Sequence, residues 1–127
     1  MSTAARREDD EDILGSDLLW RALLPKWIVP AESEGVRVSS AAFLDRRTGE
    51  VSVDVAKRTT LEAARNRKTF PDFAELRAET PRTNRHLVAS APEENNDAHA
   101  LICPKPPHTQ TTKGNARAMA DASRILD

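Results

Sequence analysis

The feature that most constrains the fold of this chain is a short run in which apolar and polar residues strictly alternate. Residues 51–55 read Val-Ser-Val-Asp-Val. Successive side chains of a β-strand point to opposite faces, so this period of two predicts a strand with one buried face. The three valines are expected in the core, and Ser52 and Asp54 on the outer face. A sheet with one apolar face is therefore the starting point for the fold.

The apolar residues available to cover this sheet are few and small. The 127-residue chain contains 19 alanines, whereas Leu, Ile, Val and Phe together number 25. This length fits one domain with a thin, closely packed core. The formal net charge of −1 argues against a wholly disordered chain, because such chains combine low hydrophobicity with high net charge. No apolar stretch approaches the roughly 18 residues of a membrane-spanning helix.

Three further stretches have the composition of strands. Residues 36–44 alternate and are joined to residues 51–55 by a turn that contains Gly49, which predicts an antiparallel hairpin between the two. Residues 85–91 and residues 98–103 are predicted as a third and a fourth strand, because each is an apolar run bounded by turn residues.

Helix signals lie between and after these strands. Residues 59–68 begin with Thr-Thr-Leu-Glu, which has the spacing of a capping box. Residues 69–79 begin with Thr-Phe-Pro-Asp and predict a second helix, and residues 115–126 predict a final amphipathic one. The apolar residues 13–24 fit a short helix or an extended edge segment, since Gly15 weakens a long helix.

The N-terminal end of the chain differs in character from the rest. Residues 1–12 have no hydrophobic periodicity, which predicts a disordered acidic tail. Residues 13–127 are expected to form a single α+β domain: a small antiparallel sheet of about four short strands packed against two to three helices. Residues 57–86 carry eight basic and four acidic side chains. An acidic tail and a basic middle can contact each other or meet different partners.

The single cysteine and the N-terminus predict the cellular compartment. Cys103 is the one cysteine, which excludes an internal disulfide and suits a reducing cytoplasm. The acidic N-terminus is unlike a signal peptide. His99 and Cys103, four residues apart on a predicted strand, lie about 13 Å apart at about 3.3 Å per residue, too far to ligate one metal ion. We expect a cytoplasmic protein with no metal and no cofactor.

Polar residues set into apolar segments mark a candidate pocket. Arg21 follows a tryptophan, Ser39 and Ser40 lie in a predicted strand, and His99 opens another. Buried polar groups need hydrogen-bond partners, because an unpartnered one costs about 1–3 kcal/mol. These four residues either converge in the pocket of a small transferase-like enzyme or belong to a satisfied structural network, for example with Arg21 paired to Asp54.

At these residues the chain resembles a group of small uncharacterised bacterial proteins. The shared pattern consists of Leu-Trp-Arg, Arg-x-Ser-Ser-Ala-Ala-Phe, a Ser-Val strand, a Pro-rich acidic loop, Ala-His-Ala and an Ala-rich helix. These elements stand here at residues 19–21, 37–43, 52–53, 92–97, 98–100 and 116–126. Val38 stands where that pattern has proline. The resemblance implies a bacterial cytosolic protein and brings no activity with it.

The order of three residue types is also similar to that of ADP-ribosyltransferase-type folds. Such folds place an Arg or His on an early strand, a Ser motif on a second strand and a Glu near the end. Arg21, then Ser39 or Ser40, then Glu93 or Glu94 occur in this order. Only 17 residues separate Arg21 from Ser39, fewer than the strand and helix that such folds place there.

These observations favour a non-enzymatic function. We interpret the chain as an interaction or regulatory module, an accessory subunit of a larger protein assembly, whose partner is another protein or a second copy. Large aromatics beside cations dominate interfaces, so Trp20, Arg21 and Trp27 are expected to contact the partner. The basic residues expected to contribute are Lys57, Arg58, Arg65, Arg67 and Lys68. The small enzyme described above is the first alternative.

Nucleic-acid binding through residues 57–68 is the second alternative. A cluster of basic residues is what phosphate binding requires. The chain as a whole is slightly acidic and has no tyrosine, and stacking platforms for single strands need exposed rings between the basic residues. The sequence therefore ranks this function below a protein-binding one.

Overall fold

Antiparallel β-structure organises residues 7–126, the part of the chain that the computed structural model describes. The strands are β1 (Leu18–Ala22), β2 (Ile28–Pro30), β3 (Val36–Val38), β4 (Val51–Val55), β5 (Phe73–Arg77), β6 (His86–Ser90), β7 (His99–Pro104) and β8 (Arg124–Ile125). The helices are α1 (Leu61–Asn66), α2 (Glu79–Thr83) and α3 (Lys113–Ala122), with 3₁₀ turns at Pro25–Trp27, Ser40–Phe43 and Ala56–Arg58.

Six of the strands form one sheet, in the order β6-β7-β4-β1-β5-β8, and β2 pairs with β3 in a separate hairpin. Every pair is antiparallel. The mixed α+β class with an antiparallel sheet is confirmed. The predicted number of four strands is too low, because β1, β5 and β8 were assigned to other structure or left open.

The core lies on one face of this sheet. The three valines of β4 are buried, as the alternation predicted, and pack with Leu19 of β1 and Ile102 of β7. The 3₁₀ turn Ser40–Phe43 and α3 cover this face, placing Phe43 and Met119 fully inside. Alanines fill the spaces between these larger side chains, so the layers approach closely.

The predicted hairpin between residues 36–44 and 51–55 is wrong. Only Val36–Val38 is extended, and it pairs with Ile28–Pro30. Gly35 adopts φ 81°, and Ala31 N donates to its carbonyl at 3.0 Å, so a tight turn closes this hairpin. Residues 40–43 form a 3₁₀ turn instead of the second half of the predicted strand. β4 pairs instead with β1 and β7.

The predicted helix over residues 69–79 is also wrong. Residues 73–77 form β5, which lies between β1 and β8, and its first four residues are buried. Phe73 and Leu76 were expected to be buried and are, but on opposite faces of a covered strand. Pairing with β1 overrides the weak local preference for a helix. The helix forms later, as α2, with Pro81 in its first turn.

Other local predictions are confirmed. Residues 85–91 and 98–103 contain β6 and β7. α1 begins after Thr60, whose hydroxyl accepts a hydrogen bond from Ala63 N at 3.1 Å. The final predicted helix is α3, which begins and ends a few residues earlier than expected. Residues 13–24 contain a strand, as one of the two alternatives held, although β1 is central rather than at an edge.

The N-terminal tail makes contacts with the sheet where it is described. Residues 1–6 of the predicted disordered tail lie outside the described residues. Asp9 and Asp10 are hydrogen-bonded to β6 and to Arg58 and Arg82. Asp9 and Asp10 therefore lie against the edge of the sheet at β6.

No helix within residues 7–126 has both the length and the apolarity needed to cross a bilayer.

Candidate functional site

The face of the sheet opposite the core carries a row of polar side chains. The register places Glu75, Trp20, Asp54 and His99 side by side on β5, β1, β4 and β7. Opposed residues in an antiparallel sheet share one face. Asp54 is only 3% exposed and His99 8%, so these groups are buried despite lying outside the main core. The sequence correctly predicted that Asp54 lies on the face opposite the valines, but it did not predict that Asp54 is buried there.

Buried Asp54 is held by partners that the sequence did not predict. Asn96 donates through Nδ2 to its carboxylate at 2.9 Å, and Arg67 through Nη2 at 3.3 Å. Arg67 also donates to Thr59 Oγ1 at 3.1 Å, while its Nε is buried without a hydrogen-bond partner. The predicted pairing of Arg21 with Asp54 is wrong, because Arg21 points to the core side of the sheet.

At the other end of the row, Glu75 is paired twice. Trp20 donates through Nε1 to one carboxylate oxygen at 2.9 Å, and Arg124 donates through Nε to the other at 3.0 Å. This joins β1, β5 and β8 by side chains as well as by backbone bonds. Trp20 is therefore half-buried, and its indole N–H is hydrogen-bonded within the sheet, where it links β1 to β5.

His99 is oriented by the backbone. Its Nδ1 lies 2.7 Å from Ala91 O, and since a carbonyl only accepts, Nδ1 carries the proton. Nε2 lies 3.7 Å from Glu93 Oε1.

Arg21 is half-buried at the place where β1 and β4 diverge. Its Nε donates to Ala42 O at 2.8 Å and its Nη1 to Ser52 O at 3.1 Å, and its guanidinium lies 5.0 Å from the centre of the Trp27 ring. Burial lowers the pKa of Arg21 to about 10, against the opposing effect of Asp45. The side chain fixes the 3₁₀ turn Ser40–Phe43 against the sheet.

Two of the four predicted pocket residues meet in one crevice. Arg21 and His99 both line it, together with Ser52, Asp54 and Lys68. Its volume is about 10 Å³, which is about the space one water molecule requires. Ser39 and Ser40 do not line it. Ser39 instead caps the following 3₁₀ turn by accepting from Ala41 N at 3.2 Å.

The charges of the basic segment, residues 57–68, are engaged within the molecule. Lys57 pairs with Asp17 at 2.6 Å, and Arg58 donates to Asp10 at 3.2 Å and to Ser90 Oγ at 2.6 Å. Arg67 pairs with Asp54, and Arg65 donates to Pro71 O at 3.1 Å. Lys68 is exposed beside Phe70. These contacts neutralise much of the positive charge available to a polyanion.

Cys103 has the environment of a buried apolar residue. Its side chain is buried on β7 beside Glu50. Burial, and secondarily the Glu50 carboxylate, raises the pKa of the thiol to about 12. The thiolate required of a nucleophile is therefore scarce at neutral pH. Within residues 7–126, no three His, Cys, Asp or Glu side chains are grouped as metal ligands would be.

A larger groove lies at one end of the sheet, between β3 and β8. It encloses about 460 Å³ and is lined by Val36, Arg37, Val38, Ala120, Asp121, Ser123, Arg124 and Ile125; we call it the edge groove. The sequence did not predict it, because residues 36–38 were assigned to the wrong hairpin and residues 124–125 to a helix.

Backbone groups of both bordering strands lie unpaired at the edge groove, accessible at Val36 and Ile125 but buried at Val38, which is 2% exposed. Ser39 N donates to Trp27 O at 2.7 Å and Leu126 N to Phe73 O at 2.9 Å. Bonded and non-bonded pairs alternate along an antiparallel ladder. Val36 and Val38 therefore turn their peptide groups away from β2, and Ile125 turns its own away from β5. Among the described residues, only Arg37 Nη1 contacts one of these groups, Val38 O at 3.3 Å.

Comparison with known proteins shows no relative: no family model, no curated protein and no solved structure matches this chain. Its function is therefore inferred from the geometry of its surface.

Proposed function

We propose that the chain is a protein-binding module, an accessory subunit that receives an extended segment of a partner protein in the edge groove. The observation that carries this proposal is the meeting of two strand edges, those of β3 and β8, on one groove. Extended peptides bind commonly by adding a strand to such an edge, since backbone hydrogen bonds then supply affinity.

The dimensions of the edge groove suit a short strand. β3 offers three residues, and three residues of a bound strand span about 10 Å at about 3.3 Å each. The outward peptide groups of Val36 supply a donor and an acceptor on one side, and those of Ile125 on the other, whereas Val38 is buried. Cα atoms of β3 and β8 approach within 8 Å, less than the roughly 9.5 Å that a strand inserted between them would need. A bound segment is therefore hydrogen-bonded along one of its edges and packs against the other strand with its side chains.

Side chains around the edge groove indicate the chemistry of the partner segment. Val36 is 60% exposed, an uncommon degree for a β-branched residue on a strand, and Ile125 beside it is half-buried. Arg37 adds positive charge at the rim, whereas the charge of Arg124 is paired with Glu75. We infer a segment with an apolar residue beside an acidic one, because this combination covers Val36 and pairs with an arginine.

Two observations favour this function over the alternatives. The crevice at Arg21 and His99 has room for about one water, whereas substrate pockets usually enclose about 300–1,000 Å³. Lys57, Arg58 and Arg67 of segment 57–68 are paired with carboxylates of the same chain, which weakens the case for nucleic acid.

Selection from a random-peptide library on the full chain tests the proposal. Bound peptides should shift the amide resonances of Val36, Val38 and Ile125, and V36D should weaken their binding by about tenfold or more, since a buried unpaired charge is costly. The matched control is L14D, because Leu14 is similarly exposed, at 58%, and lies outside the edge groove.

Three results would contradict the proposal. They are peptides that bind with equal affinity to V36D and the wild-type chain, peptides that shift other resonances, and self-association that V36D abolishes. The last would show that a second copy, not a partner protein, fills the edge groove.

A further inference from the structure

The opposite edge of the sheet, at β6, is covered by the chain's own N-terminal residues. Ala91 N donates to His99 O at 3.0 Å, so the alternation along β6 turns the peptide groups of Val88 away from β7. Both groups are bonded by the acidic segment, residues 7–12. Asp10 N donates to Val88 O at 2.8 Å, and Val88 N donates to Asp9 Oδ1 at 2.9 Å.

Two arginines and a serine complete the contacts of this pair of aspartates. Arg82 donates through Nε to Asp9 Oδ1 and through Nη2 to Asp10 O, each at 3.0 Å. The Ser90 hydroxyl donates to Asp10 Oδ2, which also accepts from Arg58 Nη2 at 3.2 Å. We call Arg58, Arg82, Val88 and Ser90 the aspartate site. It contacts an Asp-Asp dipeptide at both carboxylates and at the backbone between them.

The acidic segment lacks any apolar anchor. Residues 7–12 are all charged, and all except Asp10 are exposed. Ile13, which follows them, is fully buried in the core, so an anchor independent of the aspartates lies directly after the acidic segment. Charge-assisted hydrogen bonds at a surface are weakened by salt, and segments with few buried apolar contacts open at low free-energy cost.

We propose that the aspartate site is a second interaction surface, which binds an acidic extended segment of a partner protein after the chain's own residues 7–12 detach. The occupant is specified by the contacts: two consecutive aspartates in an extended backbone. The acidic segment competes with that partner from within the chain, at an effective concentration on the order of millimolar for a short tether. This surface is distinct from the edge groove and independent of it.

The test uses the full chain and an acetylated peptide with the sequence of residues 7–12. The double variant D9A/D10A removes the internal competitor, and E8A/E11A is the matched control, because it removes the same charge from exposed neighbours of the two aspartates. Binding is followed by the amide resonances of Val88 and Ser90.

We expect D9A/D10A to bind the peptide about tenfold or more tightly than either the wild type or E8A/E11A, given the competition described. Adding R82A to D9A/D10A should reverse this gain, and so should replacing both aspartates of the peptide by asparagine. Rising salt should weaken the peptide complex and speed amide exchange at Val88 in the wild-type chain.

The proposal is overturned if D9A/D10A binds the peptide no better than E8A/E11A does. It is also overturned if adding R82A leaves the peptide affinity of D9A/D10A unchanged. A D9A/D10A chain that fails to fold would also overturn it, because residues 7–12 would then be an integral part of the fold. So would a wild-type dimer that D9A/D10A dissociates, since the aspartate site would then hold a second copy's segment.

Discussion

The two edge strands of the main sheet differ in whether their outward peptide groups are covered. At β6, the outward peptide groups of Val88 are covered by Asp9 and Asp10. At the other end, β8 is only two residues long and leaves the edge groove open toward β3. Exposed edges invite pairing with other chains, and proteins cover, shorten or charge them. Here one edge is covered by charge and the other is shortened.

This difference separates two kinds of recognition. At the covered edge, arginines flank the peptide groups of Val88 and pair with carboxylates. At the open edge, an exposed valine lies beside unpaired peptide groups. Under the two proposals above, the first edge binds by charge and the second by strand pairing and apolar contact.

The largest expected effect comes from breaking the sheet that both edges share. Val53 lies in β4 and is 3% exposed. V53D should bury an unpaired charge and lower the free energy of unfolding by more than about 4 kcal/mol, measured by urea denaturation. V36D, at the open edge, should change it by less than about 0.5 kcal/mol. Equal losses in the two variants would contradict the assigned faces.

Breaking the polar row should have the next largest effect. D54A leaves Arg67 and Asn96 without their shared acceptor, and should cost about 2 kcal/mol of unfolding free energy. D97A, which removes an exposed aspartate nearby, is the control and should be close to neutral. Peptide binding at both edges should be preserved in D54A, since neither edge contains Asp54. A D54A chain as stable as D97A would show that the row contributes nothing to stability.

Releasing the covered edge should cost less than breaking the row. D9A/D10A removes hydrogen bonds and ion pairs that are partly exposed to solvent, so we expect a loss of about 1–2 kcal/mol. The loss should shrink in high salt, whereas E8A/E11A should change stability little. Urea denaturation of D9A/D10A and E8A/E11A at two salt concentrations measures this difference. A loss in D9A/D10A that does not depend on salt would contradict the view that Asp9 and Asp10 are held by electrostatic contacts.

The smallest effect concerns pH. The Ser90 hydroxyl lowers the pKa of Asp10 below 3.8, aided by Asp12 N and Arg58 and opposed by burial. Because the folded pKa is depressed, this carboxylate stabilises the fold above about pH 3.8 and loses that contribution as pH falls through the folded value. The chemical shift of the Val88 amide should change with pH as Asp10 titrates, and this change should be absent in D10A. A midpoint above 3.8, or one unchanged in D10A, would contradict the assignment.

Much of the local structure was readable from sequence, whereas the sheet order was not. The alternation at residues 51–55 and the cap at Thr60 depend on near neighbours, which the sequence displays directly. The strand at residues 73–77 is decided by pairing with β1, some 50 residues earlier, and no local signal encodes that choice.

The candidate sites were harder to predict for the same reason. Asp9 and Asp10 looked like a solvated tail, since charge alone does not reveal that Arg58 and Arg82 lie close to them in the fold. The edge groove required knowing that β3 pairs with β2 and leaves its other edge free. Arg21 and His99 do share a crevice, but its size depends on packing that composition does not show.

Amide hydrogen exchange, read at Val88, Val36 and Ile125 in one spectrum of the full chain, tests the contrast between the two edges most directly. We expect Val88 to be protected in the wild type and to exchange rapidly in D9A/D10A, while Val36 and Ile125 exchange rapidly in both. Val88 exchanging as fast as Val36 in the wild-type chain, or Val36 and Ile125 protected like paired strand residues, would contradict the account.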